Sequence, residues 1–248
     1  MSNSDFSDYI KENLFNFYNF LGEKTSSSVI NTNFYSSIIN HDSFWPNMVF
    51  NIKNNTAVEI ISQQKNKQNI PPFLLIHSSD QIDYNLLEKK NFRILAQWKG
   101  MAINIYNTDF SFLETNKLKV LKLKKENFNI WTKIVEKELF NGKKLDENLF
   151  KKISASDKII IYLGYANNKP VATCLTYIDN DIPGYYMIST RKEYQNHGFG
   201  SYITLNAVYD SYKTGYKTGI LQATKDAYNM YARLGFKNFD YFNIFWKL

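Results

Sequence analysis

The stretch that most restricts the fold runs from Tyr185 to Tyr212. There a strand-like apolar run gives way to Gln195-Asn196-His197-Gly198-Phe199-Gly200 and then to a helical pattern. A strand that turns through glycines straight into a helix is a building step of sheets covered by helices. The first turn of such a helix leaves several N–H groups without intrahelical partners. Glycines let the main chain approach an anion closely, and the helix terminus adds partial positive charge. A pyrophosphate fits this arrangement, but a bare Gln-x-x-Gly-x-Gly equally describes a tight strand-to-helix turn.

The neighbouring patterns extend the scheme. After the glycines come a helix from Gly200 to Tyr212, a strand from Gly219 to Ala223, a helix from Ala227 to Leu234, and a closing strand pair between Asn238 and Lys247. Before them, strands are predicted at Leu118–Leu123, Lys158–Tyr165, Val171–Ile178 and Tyr185–Thr190, with helices at Phe128–Phe140 and Glu147–Ile153. Asn167-Asn168-Lys169-Pro170 supplies a hairpin turn. The first half opens with an amphipathic helix, Phe6 to Leu21, in which Ile10, Leu14, Phe17 and Leu21 recur at helical spacing. It becomes strand-like and asparagine-rich, with a strand at Phe73–His77, a short helix at Tyr84–Lys90, and a strand pair from Arg93 to Ile105 turning at Lys99-Gly100. Thr115-Asn116-Lys117 reads as a linker. The fold class is therefore α/β, with helices over a mixed sheet.

Composition narrows the function classes. The 248 residues are 44% hydrophobic and 17% aromatic, which is a folding composition. Met1 to Ile10 lacks a secretory pattern, and the longest apolar run, Ile159 to Ala166, is too short to span a membrane; a soluble, cytoplasmic protein with no membrane partner is expected. Cys174 stands alone in a strand-like run, so no internal disulfide forms and a buried structural thiol is expected. The three histidines are not clustered, and no metal site is expected. The net charge of +7 arises in the second half, which suits phosphorylated cofactors and nucleic acid alike. The lysines between Lys117 and Lys152 follow no nucleic-acid motif and read as solvated helix faces, which disfavours a nucleic-acid partner.

Tyr84 to Phe92 and Tyr228 to Phe236 occupy similar places after a strand and share Tyr-Asn and a closing Phe, so either the two helices are copies or the match is chance. Leu87 aligns with Tyr231. The first half has only Gly22 and Gly100 and nothing like a phosphate loop.

Ile188-Ser189-Thr190-Arg191-Lys192-Glu193-Tyr194 before the loop and Tyr231-Ala232-Arg233-Leu234-Gly235-Phe236 after it, in this order and spacing, resemble the GNAT superfamily of acyl-CoA N-acyltransferases. The resemblance covers residues 117–248 and implies an N-acetyltransferase domain there. Residues 1–116 would form a smaller α/β lobe, either a degenerate GNAT-like unit shaping the acceptor cleft or a structural one. It assigns the pyrophosphate of acetyl-CoA to the backbone of Asn196, His197, Gly198, Phe199, Gly200 and Ser201, with Gln195 at the loop entry. Pantetheine would lie along Ile188, Ser189 and Thr190, one of whose N–H groups would polarise the thioester carbonyl. Lys192 stands where proline is common. Thr224 stands where many members have Asn, and its hydroxyl would still bond the pantetheine arm. Tyr231 falls on the position whose phenol protonates the departing thiolate, although a tyrosine on an amphipathic helix, among 18 in the chain, more often serves packing. Asp179, Asp181 and Glu193 do not identify themselves as a general base. The implied function is direct acetyl transfer from acetyl-CoA to the amine of a small molecule or peptide; the alternative is a non-catalytic acyl-CoA-binding or regulatory module. Acceptor, acyl chain length and oligomeric state stay open.

Overall fold

The helical spacing of Ile10, Leu14, Phe17 and Leu21 produces α1 (Asn3–Lys24), and all four side chains are buried. The computed structural model describes residues 3–64, 70–124 and 126–248. After α1 come β1 (Ser28–Asn31), β2 (Ser36–Ile39), β3 (Met48–Phe50), α2 (Asn55–Gln63), β4 (Phe73–His77), α3 (Tyr84–Lys89) and β5 (Phe92–Asn104). The second half contains β6 (Lys119–Leu123), α4 (Phe128–Leu139), α5 (Glu147–Ile153), β7 (Ile159–Ala166), β8 (Lys169–Asp179) and β9 (Ile182–Thr190). It ends with α6 (Phe199–Thr214), β10 (Thr218–Ala223), α7 (Lys225–Arg233) and β11 (Lys237–Lys247). Met1 in the expected non-secretory start, and Lys125 in the lysine-rich stretch, lie outside the described residues.

Turn chemistry follows the asparagines. Asn167-Asn168 joins β7 to β8 and Asn180-Asp181 joins β8 to β9, each pair with both residues at positive φ. Two consecutive left-handed residues give the primed turn whose twist matches an antiparallel hairpin, and Asn and Asp tolerate that conformation.

All strands join one sheet in the order β1-β2-β3-β4-β11-β5-β10-β9-β8-β7-β6. Helices cover both faces. One face packs under α1, α4 and α5 in a core containing Phe17, Trp131, Phe150, Leu175, Ile220 and Phe242. On the other, α6 and α7 cover Tyr162, Cys174, Tyr185 and Leu221, while α2 and α3 cover Leu74, Ile76 and Phe245. Cys174 is fully buried, and desolvation pushes its thiol well above the ordinary range.

Two expectations need correction. The strand pair expected from Arg93 to Ile105, turning at Lys99-Gly100, is a single strand, and so is the pair expected from Asn238 to Lys247. The two strands pair with each other: β5 and β11 run antiparallel along almost their whole lengths, with bulges at Phe239 and Leu95 absorbing the register shifts. Gly100 serves this pairing and not a turn. A Cβ there would lie 1.6 Å from Oδ1 of Asp240, so only glycine leaves room for that buried carboxylate. Asp240 in turn lies 3.0 Å from Nε2 of His77 on β4.

The run β3–α2–β4–α3–β5 has the same course as β9–α6–β10–α7–β11. In each, a parallel pair is linked through a helix, and a second helix leads to a final antiparallel strand. The final strands are exchanged. β11 pairs with β4 of the first run, and β5 pairs with β10 of the second. Within this scheme α3 and α7 hold equivalent places, and Leu87 and Tyr231 are both buried. The segment after β5, Phe110 to Leu113, packs onto α6 and is not a free tether, with the Tyr202 hydroxyl donating to the Leu113 carbonyl at 3.2 Å.

Candidate functional site

β9 and β10 are parallel neighbours only at Gly184–Ile220 and Tyr185–Leu221. Beyond these pairs they separate, and the gap between them opens toward the start of α6. Just where they part, β9 carries a bulge: Met187 and Ile188 together oppose Cys174, between the pairs Thr173–Ser189 and Leu175–Tyr186. Met187 has φ +50, a rare conformation for such a residue. The bulge puts two successive side chains, Tyr186 and Met187, on the α1/α4 face, whereas Tyr185 and Ile188 face α6 and α7. The extra residue of a bulge drops out of the ladder; the Met187 carbonyl accepts from the Thr173 hydroxyl at 2.8 Å, so what the bulge leaves for another partner is main-chain N–H.

Beyond β9 a single 3-10 turn, Lys192–Tyr194, leads into the glycine loop. Asn196 and Gly198 are both left-handed, at φ +62 and +81. Gly198 is the N-cap of α6, and no side chain caps the helix. The N–H groups of Phe199, Gly200 and Ser201 make no hydrogen bond within the described residues. The matching helix in the first lobe contrasts with this, because the side chain of Asn54 caps α2 by accepting from the Ala57 N–H. A Cβ on Gly200 would stand 3.1 Å from Sδ of Met230 and 3.3 Å from Oγ1 of Thr190, so the backbone groove is narrow and glycine keeps it open. The α6 terminus, the end of β9 and α7 therefore meet at one point. A bare, positively polarised helix end with glycines on its floor fits a pyrophosphate.

The remaining expected residues take distinct positions. Gln195 turns back, its Nε2 donating to the Thr190 carbonyl at 3.2 Å, and so latches the loop to the strand. His197 stacks on Phe199, and its Nδ1 lies 2.7 Å from the Gln195 carbonyl. Ser189 is buried with its hydroxyl 2.7 Å from that of Thr173, leaving only its main chain for a ligand. Thr224 caps α7, its Oγ1 accepting from the Ala227 N–H at 3.4 Å, and its own O–H remains to donate. Tyr231 packs its ring against Phe236, and its hydroxyl has no hydrogen-bond partner among the described residues. Burial pushes its phenol well above the ordinary range, so it holds its proton at neutral pH. Glu193 is exposed on the 3-10 turn. Asp179 and Asp181 flank the hairpin that enters β9 at Ile182, roughly 25 Å of extended strand from Thr190.

Sequence reasoning missed two contributors. Lys117, read as part of a linker, reaches the loop and donates to the His197 carbonyl at 3.1 Å, bringing a cation beside Gly198. Nothing in its local sequence separates it from the other surface lysines. Met187 carries no signal either, since left-handed backbone is ordinarily announced by Gly, Asn or Asp.

Residues 157–238 match the acetyltransferase (GNAT) domain. No curated protein matches the chain by sequence. Among solved structures, a GCN5-related N-acetyltransferase from Kribbella flavida superposes with a TM-score of 0.68 at 12% identity, covering 95% of this chain and 95% of its own. A conserved protein of unknown function from Staphylococcus epidermidis superposes with a TM-score of 0.65 at 18% identity, covering 88% and 92%. At these identities the likeness is one of fold, and it extends over both halves of the chain.

Proposed function

We propose, from the match of residues 157–238 to the acetyltransferase (GNAT) domain, that the chain transfers the acetyl group of acetyl-CoA directly to a primary amine. The observation that carries this reading is the uncapped N-terminus of α6 at the mouth of the gap between β9 and β10. The main chain from Asn196 to Ser201 would hold the pyrophosphate, with the Lys117 ammonium beside it. The splayed edge of β9 from Met187 to Thr190 would bond the pantetheine amides, as a free strand edge bonds an extended chain, and Thr224 would donate from the opposite side.

Acetyl-CoA supplies the acyl group as a thioester, and the amine takes it as the bond to sulfur breaks. The chain's residues contribute placement, charge stabilisation and one proton donor. A main-chain N–H freed by the bulge at Met187–Ile188 polarises the thioester carbonyl. Tyr231 donates a hydrogen bond to the leaving sulfur. Because burial raises its pKa and a thiol leaves with a pKa near 8.5, the phenol steadies the thiolate more than it protonates it. The amine loses its proton to water. Holding the reactants together supplies much of the rate.

Titration with acetyl-CoA, followed by an assay of acetyl transfer over a panel of amines and peptides, tests the proposal. Binding with transfer is the expected result. Binding with no transfer to any acceptor would favour an acyl-CoA-binding module, and absence of binding would overturn both.

A further inference from the structure

β5 is longer than the strand beside it. Its residues Lys99 to Asn104 pair with β10, but β10 stops at Ala223 while β5 continues up to Phe92 along β11 alone. Arg93 to Trp98 therefore have β11 on one side and, within the described residues, no backbone hydrogen bond on the other. In a strand of this kind every second residue aims its N–H and C=O toward the open side. A cleft of about 630 Å³ lies there, lined by Ala96, Gln97, Trp98 and Lys99 and by Thr224, Lys225, Asp226 and Tyr228 around the start of α7. Four consecutive strand residues point alternately to opposite faces, so a cleft that touches all four lies against the strand's edge. Thr224 borders this cleft and is also the residue placed on the pantetheine arm.

On the basis of the transferase reading, we infer that the acceptor is an extended peptide that adds to the free edge of β5, continuing the line of β10 and pointing its terminal amine at the thioester. Two features favour a peptide over a small amine. A row of alternating backbone donors and acceptors recognises another extended main chain and has no use for a compact polyamine or sugar. Ile94 and Leu95, at the outer end of the same edge, are 58% and 61% exposed, which suits apolar contact with side chains several residues from the amine. The charges around the edge, Arg93, Lys99 and Lys225 against Asp226, favour acidic side chains in the peptide.

The test uses the full-length protein with acetyl-CoA and two acceptor classes: glutamate-bearing peptides with a free α-amine, and spermidine with other small amines. The peptides should be preferred in kcat/KM by at least about tenfold, a difference of roughly 1.4 kcal/mol. N-methylation at alternate peptide positions should lower kcat/KM by a similar factor, while the intervening positions tolerate it. Ile94→Glu and Leu95→Glu should raise the KM for peptide and leave acetyl-CoA affinity unchanged. Equal use of small amines, or tolerance of N-methylation at every position, overturns the inference and leaves the transferase reading standing. Acetyl-CoA binding with no transfer to any acceptor overturns both. A concentration-dependent dimer that Ile94→Glu dissolves would give the edge to a second copy of the chain and also overturn it.

Discussion

Gly198→Ala separates a glycine needed for backbone shape from one needed for ligand binding. Gly198 sits at φ +81, where an L-residue costs about 1–2 kcal/mol. An added Cβ would also stand 3.1 Å from Cζ of Phe112 and 3.3 Å from Nζ of Lys117, so both neighbours must yield slightly. Together these give a destabilisation of about 2 kcal/mol, or roughly 4–8 °C in Tm for a chain of this size. If the loop instead relaxes out of the left-handed region, the free N–H groups turn away from the anion. Losing one charge-assisted hydrogen bond costs about 1.5–3 kcal/mol, which is roughly a 10- to 100-fold loss of affinity. Gly142→Ala is the control: φ is +77, nothing lies within 4 Å of the added Cβ, and the residue is far from the loop in sequence. It should lower Tm by about half as much and leave affinity unchanged. The assays are thermal unfolding without ligand and calorimetric titration with acetyl-CoA. Gly198→Ala with Tm unchanged and binding within a factor of about two of wild type, or both variants losing affinity equally, would refute the assignment of the loop.

Tyr231→Phe should lower kcat by about tenfold or less and leave acetyl-CoA affinity intact, because the ring packing survives and only one hydrogen bond is lost; an unchanged kcat in steady-state assays removes its role. Tyr18, Tyr162, Tyr185, Tyr186 and Tyr231 all have phenols raised by burial, so in alkali they ionise on unfolding before they do so in the fold. Their contribution is complete below their ordinary pKa near 10 and is lost above it at about 1.4 kcal/mol per group per pH unit; a urea midpoint that is the same at pH 8 and pH 11 contradicts this. Gly100→Ala should cost at least about 3 kcal/mol by forcing the Asp240 carboxylate out of its place, and a double-mutant cycle with Asp240→Ala should show that much of the cost is shared. Additive single-mutant costs in urea unfolding would mean that the clash is relieved elsewhere.

The second half was legible because its local signals agree with one another. The asparagine turn at Asn167-Asn168 and the glycine loop each specify one conformation, and the apolar periods between them match the strands and helices that form. The position of the loop at the end of a strand was visible for the same reason. What stayed hidden depends on contacts between residues far apart in sequence. Gly100 carries the ordinary mark of a turn, and only the carboxylate of Asp240 reveals why a glycine stands in mid-strand. The unbroken β5 and β11 were each divided in the reading, since a strand of 13 or 11 residues is rare and their pairing spans more than half the chain. The free edge of β5 is likewise unreadable from β5 itself, because it exists only where β10 ends.

The exchange of β5 and β11 makes the chain the intramolecular counterpart of an arm-swapped dimer, with the segment from Ile105 to Leu118 joining what would be two protomers. Each half lends its last strand to the other and borrows one in return. Cutting between Asn116 and Lys117 would therefore not release two independent folds. It would leave two fragments with open edges and uncovered apolar faces, each the missing partner of the other. Assembly of the sheet must wait for the last residues of the chain, since β11 closes both lobes at once. A chain built this way cannot shed its glycine-poor half while keeping the wall of its cleft, because that wall is on loan from it.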